Sequence, residues 1–168
     1  ASDYITNGDK AYLATMALGF TSDTLDNTGN VRALEERVLT AEEITEAIHQ
    51  FEGEQLQYPP MYSAKKMNGQ KLYELARQGK TVEREPVKIQ IKDIKILDIS
   101  GNQVQFFVSC SKGTYIRSLI DDIGKRLNYG AIMTDLQRVQ SGMFDIRKQK
   151  AYTIAELSKI SDIKPLLY

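Results

Sequence analysis

The apolar positions of the chain fall into two kinds of run. Lys10–Gly19 (KAYLATMALG) suits a pleated, half-buried surface and stops at a glycine, so it reads as a strand. Val87, Ile89 and Ile91 alternate with polar residues, and Ile94 and Ile96 continue in the opposite phase. That predicts a strand with a phase change near Lys92-Asp93. Val104–Cys110 predicts a neighbouring strand, and Leu136–Ile146 another, broken by Ser141-Gly142. Helical spacing occurs elsewhere. Thr40 and Glu43 form a capping-box pair opening a helix to about Gln50, with Ile44, Ala47, Ile48 and Phe51 on one side. Ile116, Leu119, Ile120, Ile123 and Leu127 recur at steps of three and four, predicting a helix from about Thr114 to Leu127. A short helix is predicted near Gln70–Gln78, stopped by Gly79, and a last one opens at a Thr153/Glu156 capping box. Tyr58-Pro59-Pro60 must be extended, and Thr21–Gly29 is a polar turn-rich loop. Long strands neighbour one another and helices intervene irregularly, so the expected class is α+β, with a mixed, largely antiparallel sheet flanked by helices.

At 168 residues, 42% hydrophobic and 26% charged, the chain is long enough for one domain with a real core. No apolar run approaches the roughly 20 residues of a membrane span. The chain opens on Ala1-Ser2-Asp3-Tyr4, with no initiator Met and no leader-like pattern, and reads as beginning inside a longer protein. Its single cysteine, Cys110, allows no internal disulfide, and a cytoplasmic setting is expected. One His and one Cys cannot supply a zinc site built on nitrogen and sulfur. The formal net charge is zero, but the charge is segregated. Residues 1–57 hold 3 basic and 11 acidic side chains, whereas 58–88 hold 7 and 3, and 111–150 hold 8 and 4. Two basic segments can form one face, and a polyanion responds to a face rather than to a total.

No nucleophile–base pair stands out, and neither a Walker A loop nor a dinucleotide fingerprint occurs. His49 reads as a surface histidine on a helix and Cys110 as a small buried residue. Asp23, Asp26, Asp121 and Asp122 are possible metal ligands, but solvated or capping roles suit them better, since the last two sit mid-helix about 100° apart. Three segments are richer. Between Tyr58 and Lys80, tyrosines interleave with Lys65, Lys66, Lys71 and Arg77, the pairing of phosphate-neutralising cations and base-stacking rings expected of an RNA surface. Ser109–Arg117 runs from a strand end through Gly113 to a helix start, where free backbone N–H groups favour an anion and Tyr115 and Arg117 can face a cleft. Leu136–Phe144 adds a strand with Arg138 and a Gly break.

These segments, in this order, resemble the bacterial family of tRNA pseudouridine synthases that modify the T-loop uridine, the pseudouridine synthase B family. Asp9-Lys10-Ala11-Tyr12 is similar to the family's Asp-Lys-x-Tyr strand, and Leu18-Gly19 through Asp26 and Gly29 to its Leu-Gly…Thr-Asp-Thr-x-Asp…Gly stretch, with Ser22 in place of the first Thr. Pro60–Lys65 and Gly69…Tyr73…Ala76-Arg77 resemble its RNA-gripping insertion, here about residues 58–86. Cys110–Arg117 with Asp121-Asp122 and Gly124 is the most specific match, and Leu136-Gln-Arg138…Ser141-Gly142 resembles its Leu-Arg-Arg-Thr-x-Ser-Gly motif, with Gln137 and Val139 departing from it.

The resemblance implies a pseudouridine-synthase-like fold and an isomerase acting on tRNA, with no metal or other cofactor and no membrane. It implies that the uridine is flipped out and attacked by an aspartate, and that the uracil turns and rejoins through carbon 5. Tyr12 would stack on the flipped base, Tyr115 would line the pocket as a candidate to assist proton removal from carbon 5, Arg117 would pair with the catalytic carboxylate, and Leu136 would close the pocket. Lys65, Lys66, Lys71, Arg77 and Lys112 would contact phosphates. The family's Gly-x-Leu-Asp-Pro segment belongs upstream of Asp9, and only eight residues stand there. The chain is therefore expected to be a partial catalytic domain over 1–168, without the nucleophile and without the small C-terminal RNA-binding domain, inactive alone and with Arg117 lacking its carboxylate partner. The alternatives are a non-catalytic RNA-binding module and a metal-dependent enzyme using the four aspartates.

Overall fold

A computed structural model describes residues 9–67, 69–79 and 82–139. The Ser141-Gly142 break, the strand beyond Val139 and the Thr153/Glu156 helix lie outside the described residues.

The first predicted strand forms as β1 (Lys10–Leu18), and Gly19, at φ +81°, ends it. Two short strands, β2 (Phe20–Thr21) and β3 (Arg32–Ala33), pair across the polar loop. The capping box at Thr40 is present in full: Glu43 N–H donates to Thr40 Oγ1 at 3.1 Å and Thr40 N–H to Glu43 Oε2 at 2.8 Å. It opens α1 (Ala41–His49), followed by β4 (Gly53–Gln57). The insertion holds a small hairpin of β5 (Lys66–Met67) and β6 (Gln70–Lys71), then α2 (Leu72–Arg77). Next come β7 (Val87–Ser100), β8 (Gln103–Cys110), α3 (Ile116–Arg126) and β9 (Ala131–Val139).

Among the described residues, five strands make one sheet in the order β4-β7-β8-β1-β9, every neighbour antiparallel. The phase change read near Lys92 is a bulge: Ile91 pairs with Cys110 and Asp93 with Ser109, so Lys92 is the extra residue. It keeps Ile89, Ile91 and Ile94 all buried despite their broken alternation. A second shift, between Ile96 and Asp98, left no mark in the pattern. The even positions of β1 and β8 (Tyr12, Ala14, Met16, Leu18; Val104, Phe106, Val108, Cys110) join Ile44 and Ile48 of α1 and Ile116, Leu119, Ile120 and Ile123 of α3 in one apolar cluster. Each fully buried large side chain there contributes about 1.5–3 kcal/mol.

Two boundaries differ from expectation. Helix α3 starts at Ile116 rather than Thr114, because Thr114 turns back to donate its Oγ1 to the Ser111 carbonyl at 2.9 Å. Strand β9 starts at Ala131 rather than Leu136, directly after the helix. Gly124 permits this: a Cβ there would lie 2.3 Å from the Ala131 nitrogen. Among the described residues no helix is long and apolar enough to cross a membrane.

Candidate active site

The turn after β8 is fastened before it becomes a helix. Ser111 N–H donates to the Gln90 carbonyl at 2.8 Å, and Gln90 N–H donates to Ser111 Oγ at 2.9 Å. Gly113, at φ +85°, takes the left-handed corner that an L side chain rarely adopts, beside exposed Lys112. Tyr115 is the N-cap of α3, not a first-turn residue, and its side chain makes no capping bond. The Gln57 side chain holds it instead, accepting from Tyr115 N–H at 2.8 Å and donating to the Tyr115 carbonyl at 3.1 Å.

Two residues on, Arg117 is half-buried and ion-pairs with Asp26, a carboxylate other than the upstream nucleophile expected to partner it. Its Nη1 donates to Asp26 Oδ2 and to the Thr24 carbonyl, both at 3.1 Å, and its Nη2 donates to the Tyr62 carbonyl at 2.7 Å. Of the solvated or capping roles expected for Asp26, the second is the one seen: it is 8% exposed and caps its own loop. Thr24 Oγ1 and Thr28 Oγ1 each donate to its Oδ1 at 2.6 Å, and Thr28 N–H does so at 3.0 Å. Burial alone would push this carboxyl up, but the Thr24 and Thr28 donors and the Arg117 charge outweigh it and hold the carboxyl below its ordinary value. The loop is pinned to β9, since Met133 N–H donates to the Leu25 carbonyl at 3.0 Å and Asn27 N–H to the Met133 carbonyl at 3.1 Å. A carboxylate with threonines two residues to either side was the sequence signal for this nest; residue spacing held no signal that Arg117 would reach it.

The sheet brings a second group together. Tyr12 pairs with Val108 on one side and Arg138 on the other, and Leu136 pairs with Ala14. Tyr12 is 7% exposed, in the apolar cluster, with the Arg138 guanidinium 5.7 Å from its ring centroid. Leu136, at 38% exposed, stands on the adjoining surface. In the insertion, Lys66 faces Lys71 across the hairpin, while Lys71 and Arg77 both lie 5.4 Å from the Tyr73 ring centroid. Lys66 and Arg77 are exposed, Lys65 and Lys71 half-buried.

The remaining candidates stay apart. Asp23 binds Asn30, Asp121 and Asp122 face Lys125 at 2.6 and 3.6 Å, and exposed His49 pairs with Glu52 at 2.9 Å. Buried Cys110 has its thiol pushed up by burial. Among the described residues no three carboxylate, thiol or imidazole groups converge as metal ligands.

Residues 1–116 match the family model described as TruB family pseudouridylate synthase (N terminal domain), and residues 117–164 that described as tRNA pseudouridylate synthase B C-terminal domain. The border between the two matches falls inside α3, and β9 beyond it completes the same sheet. Curated relatives named tRNA pseudouridine synthase B include one from Clostridium novyi, 52% identical over 84% of this chain and 49% of its own length. Others come from Stutzerimonas stutzeri (45% identical, 86% and 48%) and Clostridium perfringens (48%, 94% and 53%). The chain thus spans about half the length of the curated relatives it matches. Among solved structures, a chain from a crystal structure of a Cbf5-Nop10-Gar1 complex superposes with a TM-score of 0.56 at 30% identity, over 80% of this chain and 30% of that one. One from an H/ACA RNP bound to a substrate RNA containing 2'-deoxyuridine gives 0.51 at 27% identity, over 80% and 28%. The ordered motifs, the antiparallel sheet and a family model covering residues 1–116 agree, and the chain belongs to the TruB family of pseudouridylate synthases.

Proposed function

We propose that the protein containing this chain isomerises the T-loop uridine of tRNA to pseudouridine. The observation that carries the reading is the start of α3, where Tyr115 and Arg117 are held from three directions by Gln57, Asp26 and the Tyr62 carbonyl. A guanidinium has five N–H donors, and the three bonds described for Arg117 leave capacity for a second carboxylate. That carboxylate is the nucleophile, supplied by the aspartate segment upstream of Asp9 in the family pattern. Arg117 keeps it ionised and aimed, and Asp26 fixes Arg117.

The reaction needs no net redox change. The bond from the ribose C1′ to uracil N1 breaks, a bond from C1′ to C5 forms, C5 gives up its proton and N1 gains one. A base stacking on Tyr12 takes the place of the exposed Arg138 guanidinium over that ring. Leu136 covers the pocket, and Tyr115 assists removal of the C5 proton. Lys65, Lys66, Lys71, Arg77 and Lys112 meet the phosphates of the RNA. The name of the second solved structure states that it binds a substrate RNA, which supports an RNA partner here. A cytoplasmic site of action follows from a tRNA substrate. The chain by itself, without the nucleophile, binds RNA and does not turn it over.

The test is to map pseudouridine in unmodified tRNA after incubation with the chain extended upstream through the aspartate segment. A single new pseudouridine in the T loop is expected. Modification elsewhere rejects the substrate, and tRNA bound without any pseudouridine leaves an RNA-binding module.

A further inference from the structure

The last residues of β4 invert the usual polarity of a strand. Leu56 points outward and is 65% exposed, whereas Gln57 points inward and is 3% exposed. Burial alone favours the reverse, because a buried leucine stabilises and a buried amide costs free energy unless its polar ends are bonded. A local rule broken in this way marks a position held for another purpose.

Both ends of the Gln57 amide are bonded, and both to Tyr115. The side chain grips the N–H and the carbonyl of one residue, as a neighbouring strand would. Tyr115 is the residue at which α3 begins, and no Ser, Thr, Asp or Asn stands there to cap the helix. The rotation of the helix start about its own axis decides where Tyr115 and Arg117 point, so a grip on the Tyr115 main chain governs both. Two further ties run the same way. Ser118 Oγ donates to the Tyr58 carbonyl at 3.0 Å, and Arg117 Nη2 donates to the Tyr62 carbonyl at 2.7 Å. All three involve residues 57–62, where the chain leaves β4 for the insertion.

We propose that Gln57 is a positioning residue for the isomerisation, whose two-point grip on the Tyr115 backbone sets the direction in which Tyr115 and Arg117 meet the uridine. The role rests on the isomerase reading above. A displacement of about 1 Å at a reacting group costs rate on the order of a hundredfold, so removing the grip should slow chemistry without loosening RNA.

The experiment uses the chain extended through the aspartate segment, as wild type, Gln57→Leu, Gln57→Glu and Thr40→Ala. Single-turnover pseudouridine formation, tRNA Kd and Tm are measured for each. Gln57→Leu is expected to lose about 10- to 100-fold in rate with Kd within about twofold. Gln57→Glu keeps the acceptor for the Tyr115 N–H, falls between the two, and serves the test alone should Gln57→Leu not fold. Thr40→Ala lowers Tm through the cap of α1 and keeps the wild-type rate. A Gln57 variant with the wild-type rate overturns the role, as does a rate loss that Thr40→Ala reproduces at equal Tm. Wild type that binds tRNA and forms no pseudouridine overturns the isomerase reading itself, and with it this role.

Discussion

Helices α1 and α3, both packed on the sheet, begin in opposite ways. Helix α1 is started by its own neighbours: Thr40 and Glu43, three residues apart, satisfy each other's backbone N–H groups. Helix α3 begins at a tyrosine whose side chain caps nothing, and its first turn is held by Gln57, Tyr58, Tyr62 and Asp26, each more than 50 residues away in sequence. Local capping sets where a helix starts. Fixing its first turn from several remote elements also sets where its side chains aim, which a catalytic constellation needs. One helix end is fixed by its own neighbours, the other by remote elements that also fix the directions of Tyr115 and Arg117.

The sharpest way to break the comparison is Arg117→Ala in the extended protein. Turnover should fall by about a thousandfold, the scale of removing a preorganised charge from a reacting centre, with tRNA Kd within about twofold. Equal losses in binding and rate would place Arg117 on the RNA instead. Next comes Asp26→Asn, which leaves the half-buried guanidinium with a weaker partner. Urea unfolding should show a loss of about 1.5–3 kcal/mol near neutral pH, the worth of a charge-assisted hydrogen bond. The folded carboxyl is held below its ordinary value, so its stabilising contribution is present above the unfolded carboxylate pKa, about 3.9, and is lost as pH falls through the lower folded value. Wild type should therefore lose more stability than Asp26→Asn on going from about pH 5 to pH 3. Parallel losses would mean that Asp26 does not titrate in that way.

Smaller effects sharpen the contrast. If Lys65 and Lys66 each meet a phosphate, replacing both by Ala should lower the slope of log K against log salt by about 2, and an unchanged slope would remove them from the interface. Thr40→Ala should cost about 1 kcal/mol of stability and leave turnover alone; a large fall in turnover would erase the distinction between the two helix ends.

The same contrast explains what could be read in advance. The apolar stripe of α3, the α1 capping box and the bulge at Lys92 were legible because each is written in residues within one or two turns or pleats of each other. Strand β4 (GEQLQ) was missed because its inward positions are Gly53, Gln55 and Gln57 and its leucine faces water, so alternation gave no signal. The start of β9 was missed because it needs the close approach of Ala131 to Gly124, a tertiary fact. Motif order nominated Tyr12, Tyr115 and Arg117 as candidates, whereas the Asp26 and Gln57 contacts join residues 91 and 58 positions apart. No spacing rule reaches across such distances; the sheet and the helix seated on it bring them together.

The most direct measurement is tritium release from tRNA labelled at carbon 5 of uridine, run on the 168-residue chain and on the same chain extended through the upstream aspartate segment. Release by the extended chain alone is the expected result. Release by neither, with tRNA still bound, would contradict the isomerase reading, and release by the shorter chain would show that its own residues supply the nucleophile.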